Sequence, residues 1–378
     1  MTGLHIANGK DSSGAAISLS ITNGLISDSN ASLPILDADG LTVAPGFIDI
    51  QVNGAYGHDF TEDPASMWRV GSRLTEQGVT SFCPTIITSP PDRISAAQTA
   101  IAARPESYRG AEPIGLHIEG PYLSKAKRGT HDPDLLISAA PERIDTSGIA
   151  IVTIAPEIPG AIGFIERLVA AGVVVSLGHS VATSDETSMA LTAGASMGTH
   201  LFNAMPPLTA REPDLAGVLM TDPRTHFGVI ADGIHLAPEM LVLAWRSAPD
   251  RLILVTDAIS ATGMPEGDYD IGGTPVTVDR GAVRNAEGSL AGSVLTMDRA
   301  VAVLMETTGA SVKEATDAAS LHPATALGRT DLGTLAMGAR GDVVLLDETA
   351  VVATVVGGEI VFCNEPDRLG GMPHDSEI

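Results

Sequence analysis

One pattern constrains this chain more than any other. Eight times, a short apolar or β-branched run gives way to a polar residue or glycine and then to a helix-like stretch. The runs are Phe47 to Val52, Thr80 to Pro84, Ile114 to Ile118, Ile151 to Ala155, Val173 to Leu177, Ser196 to Leu201, Phe227 to Ala231 and Leu252 to Thr256. Apolar strands alternating with helices predict a parallel sheet covered by helices. Eight such units predict a closed barrel of the (β/α)8 TIM type, an α/β fold.

The segments between the runs suit helices. Ala65 to Gln77 stops at Gly78, which suits a helix C-terminus, and Phe164 to Val169 has apolar residues at helical spacing. Ser184-Asp185 can cap the next helix, which ends at Gly194. Met297 to Met305 and Val312 to Leu321 read as helices after the eighth strand, and Gly263 and its neighbours read as a loop. The chain ends differ. Residues 1–44 alternate short strands with Asn-Gly, Asp-Gly and Ser-Gly turns, and Asp342 to Asp347 and Val351 to Phe362 are strand-like around Gly357-Gly358. Neither end can bury a core alone. The expectation is a small β-sandwich domain from residues 1–44 and 333–378 beside a catalytic barrel over 45–332, with the tail from Asn364 outside the core.

Composition excludes several functions. Lys and Arg number 22 against 46 Asp and Glu, a formal charge of −24, which argues against nucleic acid or an anionic membrane as partner. No apolar run reaches the length of a membrane span, and Met1 to Ile6 lack the features of a signal peptide. Two cysteines, Cys83 and Cys363, make neither a disulfide framework nor a Cys-rich zinc site, so a reducing, cytoplasmic setting is expected.

The chemistry gathers at the C-terminal strand ends, where barrels of this kind place function. Strand one runs into Asp49-Ile50-Gln51-Val52-Asn53, strand three into His117-Ile118-Glu119, and strand five into Gly178-His179. Strand six runs into Thr199-His200, strand seven into Asp232-Gly233-Ile234-His235, and strand eight into Thr256-Asp257. Loops are polar in general, but two imidazoles and a carboxylate, each directly after an apolar strand, make a metal shell with an open position for water. Asp257 opposite can carry a proton from water to a leaving group. Two of only four lysines lie in Lys125 to His131 after strand three, where a solvated charge run and an anion-binding loop are both open readings; Arg211 is a second anion candidate.

These residues resemble the N-acetylglucosamine-6-phosphate deacetylases of the amidohydrolase superfamily. The motifs are Gly115 to Pro121, Lys127 to His131, Leu177 to Ser180, Thr199 to Met205, Asp232 to His235, Val255 to Ala258 and Leu290 to Ser293, with 21 positions between His179 and His200. The resemblance implies hydrolysis of the N-acetyl group of an amino-sugar phosphate. It implies one divalent metal, zinc first with iron, manganese or cobalt able to occupy similar shells, on Glu119, His179 and His200. It implies Asp257 as acid/base and His131 on the acetyl oxygen. It further implies Thr130, Asn203, the Ala204 backbone, His235 and the turn Leu290, Ala291 and Gly292 on the sugar phosphate, and a homodimer in which Arg211 reaches the neighbouring site. Many amidohydrolases carry His-x-His after strand one for a second metal. Here Gln51-Val52-Asn53 stands there, which predicts an empty second-metal position, with the two amides bonding a water instead.

Other residues have plainer readings. His117 points the same way as Glu119 but suits a satisfied interior histidine. His58 could border the site, His322 belongs to a helix start, and His5, His226 and His374 have no constellation. Cys83 and Cys363 suit small core positions. Two further readings stay open: a deacetylase of a related N-acyl amino-sugar phosphate such as the galactosamine epimer, and a non-catalytic relative that only binds sugar phosphate.

Overall fold

The computed structural model describes residues 3–30, 32–138, 140 and 144–369; the expected tail, with His374, lies outside them from residue 370 on, but its first residues do not stay out of the core, since Leu369 ends the turn Pro366–Leu369 fully buried in the core of the terminal sheet. Eight parallel strands form the barrel: Phe47–Val52, Val79–Ile87, Leu116–Glu119, Ile149–Ile154, Val174–Leu177, Met197–Gly198, His226–Val229 and Leu252–Leu254. Each pairs with the next, and the seam closes when Val52 bridges Ala258 in parallel. There the Asp257 N–H donates to the Gln51 carbonyl at 2.9 Å and the Asn53 N–H to the Ala258 carbonyl at 2.8 Å. Phe47–Val52 is buried at every position, because its inner face fills the barrel and its outer face lies under helices.

Strand six is shorter than its apolar run, since His200, Phe202 and Ala204 turn left-handed at φ 32°, 73° and 50° and leave the ladder. The helix after strand one is Met67–Leu74, flanked by tighter turns at Pro64–Ser66 and Thr75–Gln77, and stops at Gly78 with φ 79°. Ser184–Thr192 is capped one residue earlier than expected. Thr183 accepts from the Glu186 N–H while the Glu186 carboxylate accepts from the Thr183 N–H, a reciprocal box that Ser184 cannot make. Met297–Thr308 and Val312–Ala319 are helices as expected.

The chain ends form one sandwich-like sheet. Gly3–Asp11, Ala16–Thr22, Leu25–Ser27, Ile35–Asp37 and Thr42–Pro45 from the front join Val343–Asp347, Ala350–Val356 and Glu359–Cys363 from the back, with Thr42–Pro45 antiparallel to Val343–Asp347. Ile6, Ile21, Leu36, Val43, Leu345 and Val355 give it a core separate from the barrel's. Gly263 and its neighbours form a turn, and an ordered segment follows it. Gly267–Ile271, Thr274–Asp279 and Ala282–Asn285 make a three-stranded antiparallel sheet. Its Ile271, Val276, Val278 and Val283 pack with Ile87, Ile259 and Ala291 into a small core beside the barrel mouth.

Candidate active site

The residues at the strand ends converge on a pocket of about 370 Å³ lined by Asn53, Glu119, Gly129, Thr130, His131, His179, His200, Asn203, Ala204, His235, Asp257, Leu290 and Gly292, among others. A larger cleft, about 1390 Å³, lies at the opposite end of the barrel against the terminal sheet. Its Arg104, Arg109, Arg329 and Arg340 are already paired with carboxylates, and none of the strand-end residues reaches it.

At the pocket floor three atoms form a tight triangle. His179 Nε2 lies 3.1 Å from His200 Nε2 and 3.2 Å from Glu119 Oε1, and His200 Nε2 lies 3.1 Å from that same oxygen. The His179 ring is oriented by its other nitrogen. Nδ1 sits 2.8 Å from the Lys127 carbonyl, which can only accept, so Nδ1 carries the proton and Nε2 turns a lone pair inward. In the neutral ring that lone pair faces carboxylate lone pairs, an arrangement that repels unless a cation lies between them. Donors around a tetrahedral zinc stand about 3.3 Å apart, given bonds of about 2.0–2.1 Å, so the triangle needs only slight expansion to hold one. Two nitrogens and one oxygen suit a borderline divalent ion. Burial pushes the Glu119 carboxyl up, but the His179 and His200 rings against it outweigh that and hold it well below the usual carboxylate range.

His131 belongs to the same cluster, with a ring nitrogen within 4.8 Å of Glu119 and His179 ligand atoms. Its tautomer is the opposite of that of His179. Its Nδ1 accepts from the Thr88 N–H at 3.3 Å and the Thr88 hydroxyl at 2.8 Å, so the proton is on Nε2. Burial, helped by nearby His179, pulls its pKa down to about 3 and keeps the ring neutral. His131 therefore offers a neutral N–H donor where His179 offers a lone pair.

Asp257 faces this cluster from strand eight. Burial and the charge of Glu119 push its carboxyl up to about 6. The Asn53 amide donates to Asp257 Oδ1 at 2.7 Å and the Gln51 amide at 3.1 Å. Gln51 also lies 3.4 Å from Glu119 Oε2. The two amides thus both donate to the same oxygen of Asp257. His179, His200 and Asp257 hold φ of 48°, 32° and 50°, a conformation costing about 1–2 kcal/mol for a residue with a Cβ. Gly292, at φ 63°, lies under Asp257: a Cβ there would come within 2.4 Å of the Ile259 side chain and 2.9 Å of the Asp257 carbonyl.

The remaining expected residues divide. Thr130, Asn203, Ala204, His235, Leu290 and Gly292 line the pocket. His235 Nδ1 sits 2.7 Å from Asp232 Oδ2, which fixes its ring. Ala291 is buried behind the lining, and Arg211 is exposed outside it. His117 is an interior residue, with Nδ1 on the Ile50 carbonyl at 3.0 Å and Nε2 on the Thr153 hydroxyl at 2.7 Å. His58 contacts Arg69 away from the pocket, and His322 bonds the Leu252 carbonyl. The sequence reading missed Thr88, which fixes the His131 tautomer, and the pocket-lining Ile87, Ser289 and Ile271. Only the Gly272-Gly273 and Arg280-Gly281 turn signals pointed to the sheet that carries Ile271.

The amidohydrolase family model matches residues 42–361. N-acetylglucosamine-6-phosphate deacetylase of Rattus norvegicus is 43% identical over 354 residues, covering 88% of this chain and 86% of the relative. N-acetylgalactosamine-6-phosphate deacetylase of Escherichia coli O157:H7 is 39% identical over 322 residues, covering 83% and 85%. Among solved structures, a mutant N-acetyl-D-glucosamine-6-phosphate deacetylase from Mycobacterium smegmatis, in complex with N-acetyl-D-glucosamine-6-phosphate, superposes with a TM-score of 0.84 at 33% identity, covering 95% of this chain and 99% of that one. The chain belongs to the amidohydrolase family and, within it, to the N-acetylglucosamine-6-phosphate deacetylases.

Proposed function

We propose that this enzyme hydrolyses the N-acetyl group of N-acetyl-D-glucosamine 6-phosphate, giving D-glucosamine 6-phosphate and acetate. The observation that carries the reading is the inward triangle of Glu119, His179 and His200 with the Asp257 carboxylate across from it. One divalent ion, zinc by the chemistry of the donors, would be held by those three residues; when bound it lowers the pKa of water towards neutrality and polarises a carbonyl. Asp257 Oδ1 is occupied by the amides of Gln51 and Asn53, which leaves Oδ2 to take the proton of the attacking water. Water oxygen adds to the acetyl carbon while His131 Nε2–H donates to the acetyl oxygen as it gains charge. The C–N bond then breaks, and Asp257 returns the proton to the departing amine.

The sugar phosphate would rest against Thr130, Asn203, the Ala204 backbone, His235 and the Leu290 to Gly292 turn. Arg211, exposed outside its own pocket, would reach the phosphate bound by a second copy, so the working unit is a homodimer. No helix among the described residues is long and apolar enough to cross a membrane, and Cys83 and Cys363 are both free, which supports a cytoplasmic setting.

The 39% identity to the galactosamine-phosphate enzyme makes the epimer the one competing substrate. Acetate release from both phosphorylated epimers and from unphosphorylated N-acetylglucosamine, measured beside metal analysis, tests the assignment. Faster turnover of the phosphorylated gluco epimer, with one metal per chain, is expected. Preference for the galacto epimer would move the assignment to that sugar, and no acetate release from metal-loaded protein would sink it.

A further inference from the structure

Strand four is the barrel strand whose loop adds nothing to the pocket lining, yet it holds one carboxylate against the next loop. Glu157 accepts from the Ser180 hydroxyl through Oε2 at 2.7 Å and from the Val181 N–H through Oε1 at 2.8 Å. Ser180, fully buried, follows His179 directly. Its hydroxyl also accepts from the Ala182 N–H at 2.9 Å, and its own N–H donates to the carbonyl of pocket-lining Ala204 at 3.1 Å. His179 is gripped from the other side by the loop after strand three, where its carbonyl accepts from the Ser124 N–H at 2.9 Å and its ring donates to Lys127.

We propose that Glu157 is a positioning residue for His179. It would hold the turn after strand five so that the left-handed His179 backbone keeps its ring aimed at Glu119 and His200. The inference rests on the metal reading of that cluster given above. The physical need is plain. A residue with a Cβ at φ 48° relaxes unless its neighbours over-determine it. A relaxed backbone would swing Nε2 away from its two partners, and residues that orient metal ligands typically account for about 10- to 100-fold in metal affinity.

The test is the zinc dissociation constant of the stripped, full-length protein by chelator competition, with the melting temperature of each metal-free form as control. Glu157→Ala should bind zinc about 10- to 100-fold more weakly, while its metal-free form melts near wild type. Glu157→Gln should restore most of the affinity. Its amide oxygen can still accept from Val181 and its amide nitrogen can donate to the Ser180 hydroxyl, so geometry and not charge is what matters. Wild-type affinity in Glu157→Ala would overturn the proposal. So would equal loss in the Ala and Gln variants, which would point to charge. If Glu157→Ala does not fold, Ser180→Ala carries the test: weakened binding supports the proposal and unchanged binding overturns it. A failure of the underlying site reading shows separately, as a wild-type chain that takes up no zinc or a His179→Ala variant that binds it as tightly as wild type.

Discussion

Two polar layers lie one pleat apart inside the barrel, and they differ in a way that polarity alone does not reveal. The lower layer holds Asp49, His117, Thr153, Ser176, Thr199 and Thr256, all buried. Its hydrogen bonds close on themselves. His117 bonds Ile50 and Thr153, Thr153 bonds Thr199 at 2.7 Å, Thr199 bonds Ser176 at 2.5 Å, and Asp49 takes the Thr256 hydroxyl at 2.5 Å. The upper layer holds Gln51, Glu119, His179, His200 and Asp257, also buried. There lone pairs face lone pairs, His200 Nδ1 has no partner among the described residues, and three backbones are left-handed. Burying polar atoms without partners is costly, so the lower layer is what a fold does to remain stable and the upper is what it tolerates for chemistry.

The largest effect should come from the upper layer. Asp257→Asn keeps the shape and the bonds to neighbouring amides but cannot take a proton, so turnover should fall by about 10²- to 10⁴-fold. Metal content should stay at the wild-type level, because Asp257 is outside the Glu119, His179 and His200 triangle. Acetate release with metal analysis on the same sample checks it; a variant that keeps a large share of wild-type turnover would remove Asp257 from the reaction.

The lower layer should answer in stability instead. Thr153→Val is close in shape and strips the hydroxyl shared by His117 and Thr199, leaving His117 Nε2 buried without a partner. The cost should be about 1–3 kcal/mol in the free energy of unfolding, read by denaturant titration of metal-free protein. Zinc affinity should be unchanged, since Thr153 has no bond to a residue of the triangle. A Thr153→Val protein that melts normally and loses its metal would erase the distinction between the layers.

Much of the upper layer was legible in the sequence, because each of its residues ends an apolar strand. Phe47 to Val52 matched to the residue, and Glu119, His179, His200 and Asp257 follow from where strands stop. What was not legible acts through backbone atoms. Thr88 sets the His131 tautomer with its own N–H, Lys127 orients His179 with a carbonyl, and Glu157 bonds an N–H across a loop. No spacing of side-chain types encodes such bonds, since they depend on loops meeting in space. The antiparallel sheet at Gly267 to Asn285 escaped for a different reason. Its exposed faces carry Asp268, Asp270, Thr277 and Asp279, so the apolar half of the alternation rests on few residues, chiefly Ile271, Val276, Val278 and Val283.

The smallest expected effect separates the layers by the sign of their response to pH. Asp257 serves as a base only when ionised, so kcat/KM should fall as pH drops through its value. That value is pushed up to about 6 by burial and Glu119, and a dication beside it pulls it lower. The acid limb should therefore lie at or below pH 6. The Asn53 bond favours the ionised form, so Asn53→Leu should move the limb upward by up to about one unit, Gln51 still donating. Asp49 in the lower layer behaves oppositely. Burial raises its carboxyl from 3.8 to about 7, so the folded chain holds a proton there that the unfolded chain releases. Its contribution to stability is complete below pH 4 and is lost as pH rises towards 7. Activity and this part of stability should thus run in opposite directions across the same pH window, and a limb that does not move in Asn53→Leu would assign it to a group other than Asp257.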